Sequence, residues 1–547
     1  MRSHSPALIV LGAAMIAACT SGGHGVYPPR SSAQAIEAHV RFLADDLLEG
    51  RAAGTRGYDL AALYVATEFR KLGLEPAGDA GGYFQRVPLL QGWRIADGAR
   101  FVLHDGQRTW ALEYGKEFVP AIDFNAVEAA ISAPLVWVGY GIHAPELGYD
   151  DFAGVDLTGR LAVLMSNAPE TFPHDQRAFY ASSREKARAL VERGAIGVVH
   201  VQTPEEEEKY PWEKWMRNLD RPGMRLIGAD GRPLDGFPEL RVGASVNLEV
   251  SRRLFEGAPH TLEEAIASAK AGRPLSFELP GVATITTRTR HARLASVNVA
   301  ARLPGADAVR RDEHVVFTAH LDHLGVGAPV DGDAIYNGAF DNALGVAIML
   351  ETARRFARDT VRPKRSILFL AVTAEEKGLL GAQYFAESPT VPADSLVANV
   401  NLDMPLLFTP LKDVIGFGLE HSSLKTLVER AARETGFTLT PDPFPEEVIF
   451  IRSDQYPFVR RGVPAVYLIG GVTAADAGID MAKRFTEFLR THYHQPSDEV
   501  ELGMDFEGAA RFADLNHRLG TLIASATERP SWNPGDFFGE RFAKKGR

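Results

Sequence analysis

Val315-Val316-Phe317-Thr318-Ala319-His320-Leu321-Asp322 is the stretch that decides the fold. Five uncharged, mostly β-branched or apolar residues have the length of a buried strand, and they end in an imidazole and a carboxylate rather than in turn residues. The pattern repeats: 366–372 leads into Thr373-Ala374-Glu375-Glu376, 396–402 leads into Asp403, and 464–469 is a further short apolar run. Between the first two runs, Val346, Met349, Leu350, Ala353, Phe356 and Ala357 recur at helical spacing. Short continuous apolar runs separated by amphipathic helices predict an α/β domain, with a mostly parallel central sheet in a three-layer α/β/α sandwich.

Ligands of such sheets bind just past the carboxyl ends of the strands, so the residues there are the ones to inspect. They are His320, Asp322, Glu375, Glu376 and Asp403, with Asp341 at the mouth of the following helix and His494 in Tyr493-His494-Gln495-Pro496-Ser497-Asp498. Each alone is weak. Gathered at one sheet edge, that many carboxylates would repel one another unless cations neutralised them. With no thiolates among them, nitrogen and oxygen donors suit Zn²⁺, with Mn²⁺ or Co²⁺ as substitutes.

His320-Leu321-Asp322-His323-Leu324-Gly325, Asn337-Gly338-Ala339-Phe340-Asp341-Asn342-Ala343, Thr373-Ala374-Glu375-Glu376-Lys377-Gly378, Asn401-Leu402-Asp403 and the segment around His494 resemble, in order, the dizinc exopeptidases of the leucyl-aminopeptidase and glutamate-carboxypeptidase type. The resemblance implies that His320, Asp341 and Asp403 hold one zinc and that Asp341, Glu376 and His494 hold the other, with Asp341 as the bridge. It implies a metallo-aminopeptidase acting on peptides, with a metallo-carboxypeptidase or dipeptidase as the alternative. Asp322, two residues from His320, is placed to accept the free ring N–H of that imidazole. Glu375 is then available as the general base for a metal-activated water. His492 competes with His494, and the His-x-Pro-x-Asp spacing favours His494. Two positions depart from the family's commoner residues, Gln455 after Ser453-Asp454 and Phe340, and both bear on pocket shape. A carboxypeptidase would need a cationic clamp on the substrate carboxylate, for which Arg452 is a candidate.

Three other classes are weighed against this. A metallo-β-lactamase-type hydrolase would want a His where Thr318 stands. A glutaminyl cyclase typically works with one zinc, whereas ligands for two are present. A non-catalytic relative resembling the transferrin-receptor ectodomain would have no need of Asp341, Glu375, Glu376, Asp403 and His494 together.

The chain of 547 residues is long enough for at least two folding units. Residues 31–130 read as the N-terminal part of the peptidase domain, opening with a capping box at Ser31 and Gln34 and a second helix after Gly57. From 131 to 275 the pattern changes to short strands, with a helix over 183–193. Gly139-Tyr140-Gly141, Asp156-Leu157-Thr158-Gly159-Arg160 and Gly197-Val198-Val199 resemble a protease-associated domain, here read as an insertion. Within it Glu205 to Glu208 read as a solvated loop, and Trp212 and Trp215 as packing residues. Residues 276–528 form the catalytic zinc-peptidase domain and 529–547 a C-terminal tail.

Lys and Arg number 59 against 70 Asp and Glu, so the basic footprint of a nucleic-acid binder is missing. The single cysteine, Cys19, excludes internal disulfides. It follows Arg2, an apolar run over 7–18 and the small residues Ala17-Ala18, which is the layout of a bacterial secretory signal over residues 1–18. The segment also resembles a lipoprotein lipobox, implying a lipid on Cys19, a linker over 19–30 and an envelope-facing, periplasmic or secreted location. No later apolar run reaches the roughly 20 residues of a membrane span.

Overall fold

The computed structural model describes residues 31–543 apart from Gln107; the expected signal segment, Cys19 and the linker lie outside the described residues. Four strands form the parallel heart of the first sheet, in the order Ser366–Val372, His314–His320, Leu396–Asn401, Ala465–Gly470. All their residues are buried, as expected for strands covered on both faces. Antiparallel strands flank them. Phe277–Leu303, Phe84–Arg94 and Gly223–Leu226 extend the sheet beyond Ser366–Val372. Asp413–Phe417 adds antiparallel to Ala465–Gly470, with Thr438–Thr440 at that edge.

The two-residue period of the strands sorts their side chains into two cores. Val315, Phe317, Ala319, Ile367, Phe369 and Ala371 join the core shared with helices Leu344–Arg358 and Phe506–Ser525. Val316, Leu368, Leu370 and Val372 face Ala382, Phe385 and Phe458, from helices Leu380–Glu387 and Gln455–Val459. That is the three-layer sandwich. Gly520 is what lets the long C-terminal helix lie close: a Cβ there would come within 2.7 Å of the Phe317 ring.

A second sheet runs Thr109–Ala111, Arg100–His104, residues 277–288, Glu128–Trp137, Leu161–Leu164, Gly197–Val201, Val242–Val246, Phe118–Pro120. It draws in strands on both sides of the 131–275 segment. The 27-residue strand Phe277–Leu303 belongs to both sheets, pairing with Glu128–Trp137 through its first half and with Phe84–Arg94 and Ser366–Val372 through its second. One continuous backbone therefore joins the two units.

Two local expectations are corrected. Ser32, not Ser31, caps helix Ala33–Leu43, accepting from the Ala35 N–H at 3.2 Å, while the Ser31 hydroxyl donates to Asp514 at 2.7 Å. The glutamate run is helical, Pro204–Lys209, because Thr203 and Glu206 close a capping box around it. The segment 529–547 contains helix Phe537–Phe542, whose Phe537 ring lies 5.5 Å from Phe179 of the second unit. Among the described residues no helix is long and apolar enough to cross a membrane.

His314, at the base of its strand, is buried with Nδ1 2.9 Å from the Ser395 hydroxyl. Burial, reinforced by Arg302, pulls its pKa down from 6.5 to about 4. The unfolded chain therefore binds a proton in this window that the folded chain does not. This contribution is complete above pH ~6.5 and is lost as pH falls towards ~4. Urea midpoints at pH 7 and pH 4.5 should converge in His314→Asn relative to the parent.

Candidate active site

The strand ends deliver the expected side chains to one place. His320 Nε2 lies 3.0 Å from Asp403 Oδ1 and 3.1 Å from Asp341 Oδ1. His494 Nε2 lies 3.3 Å from the other Asp341 oxygen and 3.1 Å from Glu376 Oε2. These are two trios that share Asp341. Ligand atoms about 2.0–2.2 Å from a tetrahedral zinc stand roughly 3.3 Å apart, so the spacings match those of atoms aimed at a common ion. His492 is directed elsewhere, its Nδ1 2.9 Å from the Ser497 hydroxyl.

A third imidazole, unassigned from the sequence, joins them. His323 is fully buried, with Nδ1 2.7 Å from Glu376 Oε1 and 3.9 Å from Asp341 Oδ2. The contact of Nδ1 with Glu376 Oε1 is not aligned as a hydrogen bond, and His323 Nε2 has no partner at all. Buried polar atoms are nearly always satisfied, so this set of orphans fits a cation held by nitrogen and oxygen donors. The sequence signal was a second imidazole three residues past His320. Gly338 makes room for it, because a Cβ there would come within 2.5 Å of the His323 ring.

The supports are hydrogen bonds, to backbone around Asp341 and between side chains around Asp403. Asp498 accepts the N–H groups of Phe340 and Asp341 at 3.0 and 3.1 Å, fixing the loop that carries the shared carboxylate. Arg51, buried in a short inter-helix segment, donates to the carbonyls of Leu321, Asn337 and Gly338 at 3.0, 2.7 and 3.1 Å. Ser453 donates to Asp403 Oδ2 at 2.6 Å, and Asn401 Nδ2 donates to Ser453 at 2.8 Å and to Gln455 at 2.9 Å.

Asp322 acts differently from expectation. The acceptor for His320 Nδ1–H is the Asp322 backbone carbonyl, at 3.0 Å. The chain bends at the strand end, bringing the carbonyl rather than the side chain to the ring, and this leaves Nε2 with its lone pair towards Asp341 and Asp403. The Asp322 carboxylate instead accepts the backbone N–H groups of Glu375 and Glu376, at 3.1 and 3.4 Å. It positions the Glu pair.

Gln455 and Phe340 do not shape an open pocket. Both are fully buried: Gln455 Nε2 donates to the Phe450 carbonyl at 2.6 Å, and Phe340 packs 4.6 Å from the Phe408 ring. Arg452 is tied to Glu447, at 3.3 Å from its carbonyl and 3.4 Å from its carboxylate. Trp212 is buried and donates to the Gly115 carbonyl at 3.0 Å, with Trp215 edge-on to it.

Burial pushes the Asp322 and Asp498 carboxyls up to about 7. Burial also lifts the Glu375 carboxyl well above the usual range, with Glu376, Asp454 and Asp403 adding to it against the pull of His320. Against burial, Glu376 and Asp341 raise His494 to about 10. Asp454, which the sequence offered only as a family-like position, is fully buried with both oxygens unpartnered. A cavity of about 1010 Å³ lies between the two units, its wall running from Tyr140 and Arg225 to Lys377 and Gly378, the residues that follow Glu376.

Residues 298–519 match the profile of peptidase family M28. A probable zinc metalloprotease of Pyricularia oryzae is 36% identical over 295 residues, covering 47% of this chain and 56% of that protein. A probable zinc metalloprotease of Pyrenophora tritici-repentis is 41% identical over 93 residues, 17% of this chain, and the match spans only 21% of that relative. The solved aminopeptidase from Aneurinibacillus sp. strain AM-1 shares the fold over 93% of this chain and 97% of its own, with a TM-score of 0.53 at 20% identity. The strands and loops that gather His320, Asp341, Glu376, Asp403 and His494 all fall within the segment that matches the peptidase family M28 profile.

Proposed function

We propose that this chain is a dizinc aminopeptidase that removes N-terminal residues from peptides. The observation that carries the proposal is the pair of ligand clusters sharing Asp341, His320 with Asp403 on one side and Glu376 with His323 and His494 on the other, with the Glu375 carboxyl beside them and in neither. His320, Asp341 and Asp403 would hold one ion. Asp341, Glu376 and His494 would hold the other, with His323 at its side. Bound there, the two ions supply Lewis-acid polarisation of the scissile carbonyl and acidification of a water. Glu375 takes a proton from that water as its oxygen adds to the carbonyl carbon, and returns it to the amine nitrogen as the C–N bond breaks. Asp322, through the backbone N–H groups of Glu375 and Glu376, keeps the base and the ligand in register. The names of the fungal relatives support zinc.

The engagement of Arg452 with Glu447 supports the amino-terminal choice over a carboxylate clamp. Arg221 favours a second possibility, a carboxypeptidase or dipeptidase. Its guanidinium lies 4.0 Å over the Tyr336 ring, Nε and Nη2 have no partner, and it feels the charge of Glu376. The two are separated by comparing leucyl-arylamide, its N-acetylated form and an N-blocked dipeptide with a free carboxylate. The aminopeptidase cleaves only the first; cleavage of the blocked dipeptide alone would overturn that assignment.

We further propose that the second sheet is a protease-associated module and that the mature protein is tethered in the cell envelope through Cys19. Cys19→Ser should move the protein from the membrane fraction to the soluble envelope fraction; unchanged fractionation would contradict the tether.

Glu375→Gln should lower kcat by about 10²–10⁴-fold, the range for loss of a general base, while zinc content stays at the parental value. In equilibrium dialysis, His494→Ala should retain less zinc than the parent, and His492→Ala should retain as much.

A further inference from the structure

A second cluster of metal-type side chains lies away from Asp341, where three segments distant in sequence meet. Helix His174–Ala181 of the second unit contributes Asp175, the turn Leu419–His421 contributes Glu420 and His421, and Asp536 caps helix Phe537–Phe542. His421 is 1% exposed. Its Nδ1 is 2.7 Å from Asp536 Oδ2, and Asp536 Oδ1 accepts the Gly539 N–H at 2.7 Å. A carboxylate held in this way takes the Nδ1 proton and leaves the lone pair on Nε2, the arrangement that orients metal-binding imidazoles.

Nε2 is buried with no hydrogen-bond partner. It faces Asp175 Oδ1 and Glu420 Oε1, each 3.5 Å away, and one donor atom from each of the three residues lies within 4.8 Å of the other two. These separations are close to the roughly 3.3 Å between ligands of a tetrahedral ion. With Asp536, three carboxylates surround the His421 imidazole, and a second imidazole, His174, stands 3.7 Å from the same Asp175 oxygen, so carboxylates still outnumber imidazoles three to two. That excess of negative charge calls for a proton on Nε2 or for a cation. Glu420 and Asp175 reach solvent, at 61% and 25% side-chain exposure, so water can complete the coordination sphere.

We infer that Asp175, Glu420 and His421 form a further divalent-cation site, distinct from the pair at Asp341, which staples the second unit to the peptidase sheet. The imidazole selects a transition metal of the zinc class over Ca²⁺. The ion would reinforce an apolar seam already present there, where the His421 ring lies 5.0 Å from Phe538 and Phe179 lies 5.5 Å from Phe537.

The test uses the mature chain, stripped with chelator and titrated with Zn²⁺ by calorimetry, beside the double variant Asp175→Ala, Glu420→Ala and the single variant His421→Leu. The double variant alters solvent-reaching side chains and keeps the fold even if His421→Leu does not. It should bind one ion fewer per chain than the parent, and its zinc-dependent rise in Tm should shrink, while leucyl-arylamide cleavage stays within about twofold of the parent. The readout is the difference between chains, so it does not depend on how many ions the Asp341 centre holds. Equal ion counts in the parent and the double variant would overturn the site and leave His421 as an imidazolium in an ion pair.

Discussion

Asp341 is the residue on which the candidate site depends, because its two oxygens face two different imidazoles, His320 at 3.1 Å and His494 at 3.3 Å. Around it are gathered Asp322, Glu375, Glu376, Asp403, Asp454 and Asp498. Two like charges about 4 Å apart at an effective dielectric near 20 repel by on the order of 4 kcal/mol. Folding that many carboxyls into one sheet edge is costly unless protons or cations offset the charge. Shared ions at Asp341 would relieve the largest number of these repulsions at once.

The scaffold answers with rigidity. Asp403 and His320 each stand at the end of a parallel strand whose other residues are locked in the core. Asp341 comes from a loop, and loops do not hold position unaided. It is held by Asp498 accepting its N–H and by Arg51 bridging the carbonyls of Asn337 and Gly338 to that of Leu321. Buried Arg51 and Asp498 are each expensive to desolvate, and each is fully used by backbone partners. The arrangement trades stability for placement of one carboxylate.

How far all this was legible in the sequence depends on the length scale of the interaction. The parallel strands and the residues that end them could be read because burial on both faces forces continuous apolar runs, and the chemistry begins where the run stops. His323 was passed over because its ring direction is set by the bend after His320, which spacing does not encode. Arg51 looks like any charged residue in a Gly-rich segment, and only the fold shows four carbonyls around it, those of Leu43, Leu321, Asn337 and Gly338. The same holds for the Asp322 carboxylate, whose partners are backbone amides 53 and 54 residues away. The extent of the second unit was obscured by Phe277–Leu303, a single strand that changes sheets without a break in its pattern.

That strand makes the two units mechanically continuous, and the cavity between them is lined by residues of the second unit, such as Tyr140, together with Lys377 beside the Glu pair. What a ligand meets in that cavity is therefore set by both units, while the side chains gathered around Asp341 belong to one. The claim beneath the whole account is that Asp341 is shared by two metal ions. Anomalous diffraction at the zinc edge tests it most directly. The account predicts two strong peaks roughly 3.5–4 Å apart, the usual separation in two-metal sites, one on each oxygen of Asp341. A single peak there, or two peaks of which only one touches Asp341, would contradict it.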